Sequence, residues 1–215
     1  MNKIKAVLFD MDGLMVDTEP IHLRAFNYAL GKYGKHLTEE GNTRRYIGTP
    51  DIDGAKDMVL RFSLPISAQE LVMVKKARVK ELLTSLEPEP GLIELLANLK
   101  QNDYKVAIAS SSYLETIRKI IQDLGVAKMI DKLASAEEVK QGKPAPDVYL
   151  LAAEKLGVSP SECLVLEDAP KGVQAGKLAG MKVFAIPSQY TKDGDFSLAD
   201  KVLSSLSEVF DLINL

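Results

Sequence analysis

Two aspartates, Asp10 and Asp12, close the first apolar run of the chain, Val7-Leu8-Phe9-Asp10-Met11-Asp12-Gly13. Side chains at i and i+2 of an extended segment project to the same side, so the two carboxylates point together. Carboxylates that close repel and raise one another's pKa, and a divalent cation beside them relieves the repulsion. The pair therefore predicts a Mg²⁺ site with a carboxylate left over for chemistry. An isolated Asp-x-Asp is also an ordinary way to end a strand in a turn, so the pair needs company before it carries a function.

Three further groups supply it. Ala109-Ser110-Ser111-Ser112 ends a second apolar run, where hydroxyls and the amides of a following helix can hold phosphate oxygens. Gly142-Lys143-Pro144-Ala145-Pro146-Asp147 presents a lysine in a loop stiffened by two prolines. Leu164-Val165-Leu166-Glu167-Asp168 places a second acid pair at the end of another strand-like run. Taken singly, a serine triplet caps a helix, a lysine is a solvated charge, and an acid pair begins the helix at Pro170. Taken together they order acid pair, hydroxyl, lysine and acid pair along the carboxyl ends of a sheet, the end at which open α/β sheets bind ligands.

The elements that must position these residues are legible as two alternating textures. Strand-like runs cover Ile4–Phe9, Lys105–Ala109, Leu164–Leu166 and Lys182–Ile186, with a weaker one at Lys132–Ala134. Between them, Leu92/Leu95/Leu96/Leu99, Leu114/Ile117/Ile121/Leu124 and Val148/Leu151/Ala152/Leu156 each form one face of a helix. This alternation predicts an α/β fold with a doubly wound, mainly parallel sheet. Residues 18–87 break the rhythm and read as a small all-helical cap inserted after the first strand. Ser67-Ala68-Gln69-Glu70 has capping-box spacing, followed by a stripe of Val72, Val79, Leu83 and Leu86. Glu87-Pro88-Glu89-Pro90-Gly91 closes the insertion. Residues 1–17 and 88–215 then form the core, and the insertion is placed to act as a lid. Gly172, Gly176 and Gly180 predict a small-residue helix face packed closely on the sheet.

Composition narrows the function classes. The chain has 215 residues, 46% of them hydrophobic and 27% charged, with a formal net charge of -3, which offers no broad electrostatic footprint for nucleic acid or an anionic membrane. The single Cys163 excludes an intramolecular disulfide scaffold and reads as a buried packing thiol. No run approaches the roughly 20 apolar residues of a membrane span, and the start is too short in apolar residues for a signal peptide. A soluble, cytoplasmic protein without nucleic-acid or membrane partners is expected, with a monomer as the default state.

With these motifs in place, the chain resembles the haloacid dehalogenase superfamily, in its helical-cap phosphatase and β-phosphoglucomutase-like branch. The resemblance covers essentially the whole chain. It is carried by Phe9-Asp10-Met11-Asp12-Gly13-Leu14, Asp17-Thr18-Glu19, Ser110, Gly142-Lys143-Pro144, Glu167-Asp168-Ala169-Pro170-Lys171-Gly172-Val173 and Ala179-Gly180-Met181. It implies that Asp10 is a nucleophile forming an aspartyl-phosphate and Asp12 a general acid and base. Mg²⁺ would be held by Asp10, the Asp12 backbone carbonyl and Asp168, with Glu167 a direct or water-linked ligand. Ser110 and Lys143 would hold the phosphoryl group. Ser111, Thr18 and His22 complete the substrate-side candidates; His22 faces the leaving group or is an ordinary polar histidine of the insertion. Dehalogenases and phosphonate hydrolases of this fold resemble the chain in the nucleophile but generally lack an acid equivalent to Asp12.

The expected substrate is a small phosphorylated metabolite, a sugar or nucleotide monophosphate, hydrolysed by a Mg²⁺-dependent phosphatase similar to pseudouridine-5′-phosphatase-type enzymes. A β-phosphoglucomutase-type phosphomutase is the enzymatic alternative. The mutases carry a basic residue and an arginine around a cap-loop glycine; here Tyr46-Ile47-Gly48-Thr49-Pro50-Asp51 places Ile47 and Asp51 at those positions. Arginine suits the grip on a second phosphate and aspartate opposes it. Arg44, Arg45, Lys75 and Lys76 of the insertion read as solvated charges. A non-catalytic binding protein on the same fold is the third reading, against which Asp10 and Lys143 both stand.

Overall fold

The computed structural model describes residues 3–47, 49–84 and 86–213. It divides into two compact units, Met1–Asp17 with Leu86–Leu215, and Thr18–Ser85. The first unit is built on a six-stranded sheet whose ladders are all parallel. Its strands are β1 (Ala6–Phe9), β2 (Lys105–Ser110), β3 (Lys132–Ser135), β4 (Cys163–Glu167), β5 (Lys182–Ala185) and β6 (Lys201–Val202), in the order β3-β2-β1-β4-β5-β6. The order reverses at β1, between β2 and β4, which is the switch point where such sheets open a crevice. β1 and β4 are buried along their whole length, as expected of strands covered on both faces.

The unit's helices are those after the inserted segment: α5 (Leu92–Gln101), α6 (Leu114–Asp123), α7 (Asp147–Leu156), α8 (Pro170–Leu178) and α9 (Val209–Ile213). Ala6 and Leu8 of β1, Ala107 of β2 and Val165 of β4 meet Val148, Ala152 and Leu156 of α7 and Val173 of α8 in one apolar core. α5 packs on β2 and α6 on β3. α5 buries Leu92, Leu95, Leu96 and Leu99. On α8 the small residue is a packing requirement at Gly176, where a Cβ would lie 2.8 Å from Val183 Cγ2 and 3.3 Å from Val165 Cβ. Cys163 is buried as a free thiol, and burial pushes it up to about 11, Glu162 adding to the rise. The Glu89 N–H donates to the Met15 carbonyl at 2.9 Å, joining the two stretches of this unit between which the inserted residues run. β6, two exposed residues long, is too short to announce itself as a strand in the sequence.

The second unit is all-helical: α1 (Glu19–Gly31), α2 (Glu39–Arg45), α3 (Asp51–Phe62) and α4 (Ala68–Leu82). α4 begins in a capping box, Ser67 Oγ accepting from the Glu70 N–H and Glu70 Oε2 from the Ser67 N–H at 2.8 Å. Its buried stripe is Ala68, Leu71, Lys75 and Val79; Val72, expected on that face, is only partly buried and lies one position from it. Lys75 overturns its reading as a solvated charge. It is 2% exposed, its Nζ donates to both Asp51 oxygens at 2.7 Å, and the Phe26 ring lies 5.1 Å below it. Asp51 at the head of α3 is what allows a lysine on a core stripe, since a buried ammonium persists only when paired. Arg45 and Lys76 are exposed; the Arg44 side chain and Gly48 lie outside the described residues. No helix among the described residues is long and apolar enough to cross a membrane.

Candidate active site

The carboxyl ends of β1, β2 and β4 and the loop before α7 bring the chemistry-bearing residues of the first unit together. β1 hands over to Asp10 with the ladder intact, Asp10 N–H donating to the Leu166 carbonyl at 3.0 Å. The chain then turns on Gly13, whose φ of +87° suits glycine. A Cβ there would also lie 2.4 Å from Asp168 Oδ2. Glycine thus does two things: it makes the turn and lets the two acid pairs approach.

Asp10, Glu167 and Asp168 offer carboxylate oxygens that all lie within 4.8 Å of one another, and all three residues are buried. Lys143 Nζ donates to Asp10 Oδ1 and, at 2.6 Å, to Glu167 Oε1. Burial pushes the Asp10 carboxyl up to about 8; Lys143 opposes this, while Glu167 and Asp12 add to it. Burial, then Glu167 and Asp10, hold Asp168 well above the ordinary carboxylate range. Burial disfavours the Lys143 ammonium, but Asp10 and Glu167 more than offset that and hold it above its ordinary value. With all three carboxylates ionised, one ammonium leaves two negative charges unbalanced, a state that burial and mutual repulsion oppose by holding Asp10 and Asp168 protonated when no cation is present. An all-oxygen donor set with that excess fits a divalent cation.

Asp12 is held on the other side. Ser112 Oγ donates to Asp12 Oδ2 at 2.9 Å and Ser110 Oγ to the same oxygen at 3.3 Å, while the Ser112 N–H donates to Ser110 Oγ at 2.9 Å. Ser111, one of the expected phosphate-side hydroxyls, is exposed. Ser112 reaches the acid instead, fixed from behind by the buried Ser135 hydroxyl, which donates to the Ser112 carbonyl at 2.7 Å. Thr18 and His22 belong to the second unit, where the Thr18 carbonyl accepts from the Ile21 and His22 N–H groups at the start of α1.

Several residues of the site escaped the sequence reading. The Tyr149 hydroxyl donates to Glu167 Oε1 at 2.6 Å, and burial, then Glu167, raises it well above an ordinary phenol. Thr191 Oγ1 donates to the Asp168 carbonyl at 2.6 Å, and the Ser188 hydroxyl lies 3.1 Å from Thr191 Oγ1. Tyr149 reads as one more apolar position of a core helix, and Ser188 and Thr191 follow a strand carrying no acid or lysine at its end. The only signal available was the adjacency of β5 to β4.

The comparisons with known proteins agree with one another. The family model described as haloacid dehalogenase-like hydrolase matches residues 4–180. Hexitol phosphatase B of Escherichia coli K12 is 36% identical over 217 residues, covering 96% of this chain and 95% of that protein. A probable pseudouridine-5′-phosphatase of Drosophila melanogaster is 34% identical over 214 residues, covering 97% and 92%. Among solved structures, CbbY from Rhodobacter sphaeroides in complex with phosphate superimposes with a TM-score of 0.85 at 28% identity, over 95% of this chain and 96% of that one.

Proposed function

The chain belongs to the haloacid dehalogenase-like hydrolase family, and from that premise we propose that it is a Mg²⁺-dependent phosphatase of small phosphorylated metabolites, with sugar and nucleotide monophosphates as the substrate class. The relatives named as phosphatases support the reaction class. The observation that carries the reading is the convergence of Asp10, Asp12, Ser110, Lys143, Glu167 and Asp168 at one end of the sheet.

In this reading Asp10 attacks phosphorus, the bond to the ester oxygen breaks, and Asp12 gives its proton to the departing alkoxide. Asp12, now a carboxylate, takes a proton from water; that water attacks the aspartyl-phosphate and releases inorganic phosphate, restoring Asp10. Ser110 donates to a phosphoryl oxygen. Lys143 neutralises the phosphoryl charge and, with its contact to Asp10, opposes the burial that would keep the nucleophile protonated. Asp10, Asp168 and Glu167 would hold the cation, which supplies positive charge to the transferring group.

The test is phosphate release from a panel of monoesters, with Mg²⁺ and with chelator. Metal-dependent release supports the reading, and a panel without turnover refutes it. Glucose 1-phosphate converted to glucose 6-phosphate with a bisphosphate activator and no net phosphate release would mark a mutase instead. Against that outcome stands Asp51, engaged with Lys75 where the mutases carry an arginine.

A further inference from the structure

Tyr149 is the largest fully buried side chain among the described residues. Its ring belongs to the apolar core beneath α7, where a hydroxyl must find an acceptor. It finds Glu167 Oε1 at 2.6 Å. The same oxygen accepts from Lys143 Nζ at 2.6 Å, and Lys143 Nζ lies 4.8 Å from the Tyr149 ring centroid. One side chain thus grips both members of an ion pair, the carboxylate through its hydroxyl and the ammonium through its π face. The other Glu167 oxygen accepts from the Ala169 N–H at 3.2 Å. Gly172 completes the enclosure: a Cβ there would lie 1.7 Å from Glu167 Oε1.

We propose that Tyr149 is a positioning residue that sets the Glu167 carboxylate, and through it the Lys143 ammonium, against Asp10 and the divalent cation, an inference that rests on the phosphatase reading above. Without the hydroxyl, the Glu167 carboxylate loses one of its three donors and is free to turn about its terminal torsion. Lys143, which shares the freed oxygen, turns with it and leaves Asp10. Groups that orient metal-side carboxylates are worth about 10- to 100-fold in metal affinity or activity.

Tyr149→Phe tests this in the full-length protein, because it keeps the ring and its contact with Lys143 and removes the hydroxyl alone. Mn²⁺ affinity is read by electron paramagnetic resonance, beside the metal half-saturation of phosphate release, substrate KM at saturating metal, and Tm. The expected result is Mn²⁺ binding about tenfold weaker and the half-saturating metal rising by the same factor, with KM at saturating metal rising as well because Lys143 is displaced. Leu156→Ala, at the far end of the same helix and in the same core, serves as the packing control: it lowers Tm and leaves Mn²⁺ affinity alone. Unchanged Mn²⁺ affinity in Tyr149→Phe, or an equal loss in Leu156→Ala, overturns the positioning role. Weakened Mn²⁺ binding in Tyr149→Phe, with no phosphate release by wild type from any monoester, sinks the phosphatase reading and leaves Tyr149 in its role. A wild-type protein that binds no Mn²⁺ overturns both.

Discussion

Replacing Gly13 by alanine adds one methyl group where two acid pairs meet. The cost has two parts. The backbone at φ +87° disfavours a side chain by about 1–2 kcal/mol, which is about 2–8 °C in Tm for a chain of this size. The added Cβ would sit 2.4 Å from Asp168 Oδ2 and 2.9 Å from its Cγ, about 1 Å inside ordinary contact. A flexible surface carboxylate would swing aside cheaply. Asp168 is 5% exposed and its carbonyl accepts from Thr191 Oγ1 at 2.6 Å, so both its backbone and its carboxylate are closely packed and have little room to retreat. Metal ligands tolerate displacements of about 0.2 Å. A retreat of about 1 Å therefore removes Asp168 from any Mg²⁺ shell, and the half-saturating metal concentration rises at least about tenfold. Gly13→Asn separates the two parts, because asparagine tolerates the left-handed backbone while its Cβ meets the same oxygen. It recovers part of the Tm and none of the metal affinity. The assay is phosphate release against Mg²⁺ concentration, with thermal melts in chelator. A folded Gly13→Ala protein with wild-type metal dependence would show that Asp168 holds no cation.

Three further outcomes are expected. Asp10→Asn abolishes phosphate release yet raises Tm in chelator, because it removes a buried carboxyl whose charge burial opposes; retained turnover would end its assignment as nucleophile. Stability in chelator falls between about pH 4 and about pH 8: the folded state holds the Asp10 proton up to about 8 while the unfolded chain releases it near 3.8, so the folded form binds more protons across that window. Mg²⁺ competes with those protons, so its stabilisation grows over the same range, and melts at several pH values with and without Mg²⁺ check the slope. Asp51→Ala strands the buried Lys75 ammonium at a cost of about 3 kcal/mol, the low end for a broken buried pair because Asp51 is 34% exposed. The double variant with Lys75→Met recovers most of the Tm, and a double variant no more stable than Asp51→Ala would contradict the pairing.

The doubly wound sheet was legible because each strand run and helix face is a local pattern; the acids and Ser110 stand where such runs end, and Lys143 stands in the proline-bracketed loop before α7. What escaped depends on partners far along the chain. Lys75 reads as solvated because its neutralising Asp51 is 24 residues away, and nothing near α4 reveals that a charged residue occupies its core stripe. Tyr149 is hidden by its own hydrophobicity: in an apolar helical pattern a tyrosine is indistinguishable from packing until Glu167, 18 residues on, supplies the acceptor. Ser112 stands beside Ser111 in a triplet of identical residues, and only the loop conformation, held by Ser135 on β3, decides which hydroxyl turns to Asp12.

The bond from the Glu89 N–H to the Met15 carbonyl brings departure and return points for a whole inserted segment next to each other. Joining neighbouring ends adds little loop-closure entropy, and that cost grows only slowly with the length enclosed. A sheet with such a gate can exchange its insert as a cassette, lengthening, shortening or replacing it without disturbing its own strand order. In such a scaffold the insert can diversify while Asp10, Lys143, Glu167 and Asp168 stay anchored on the sheet unit.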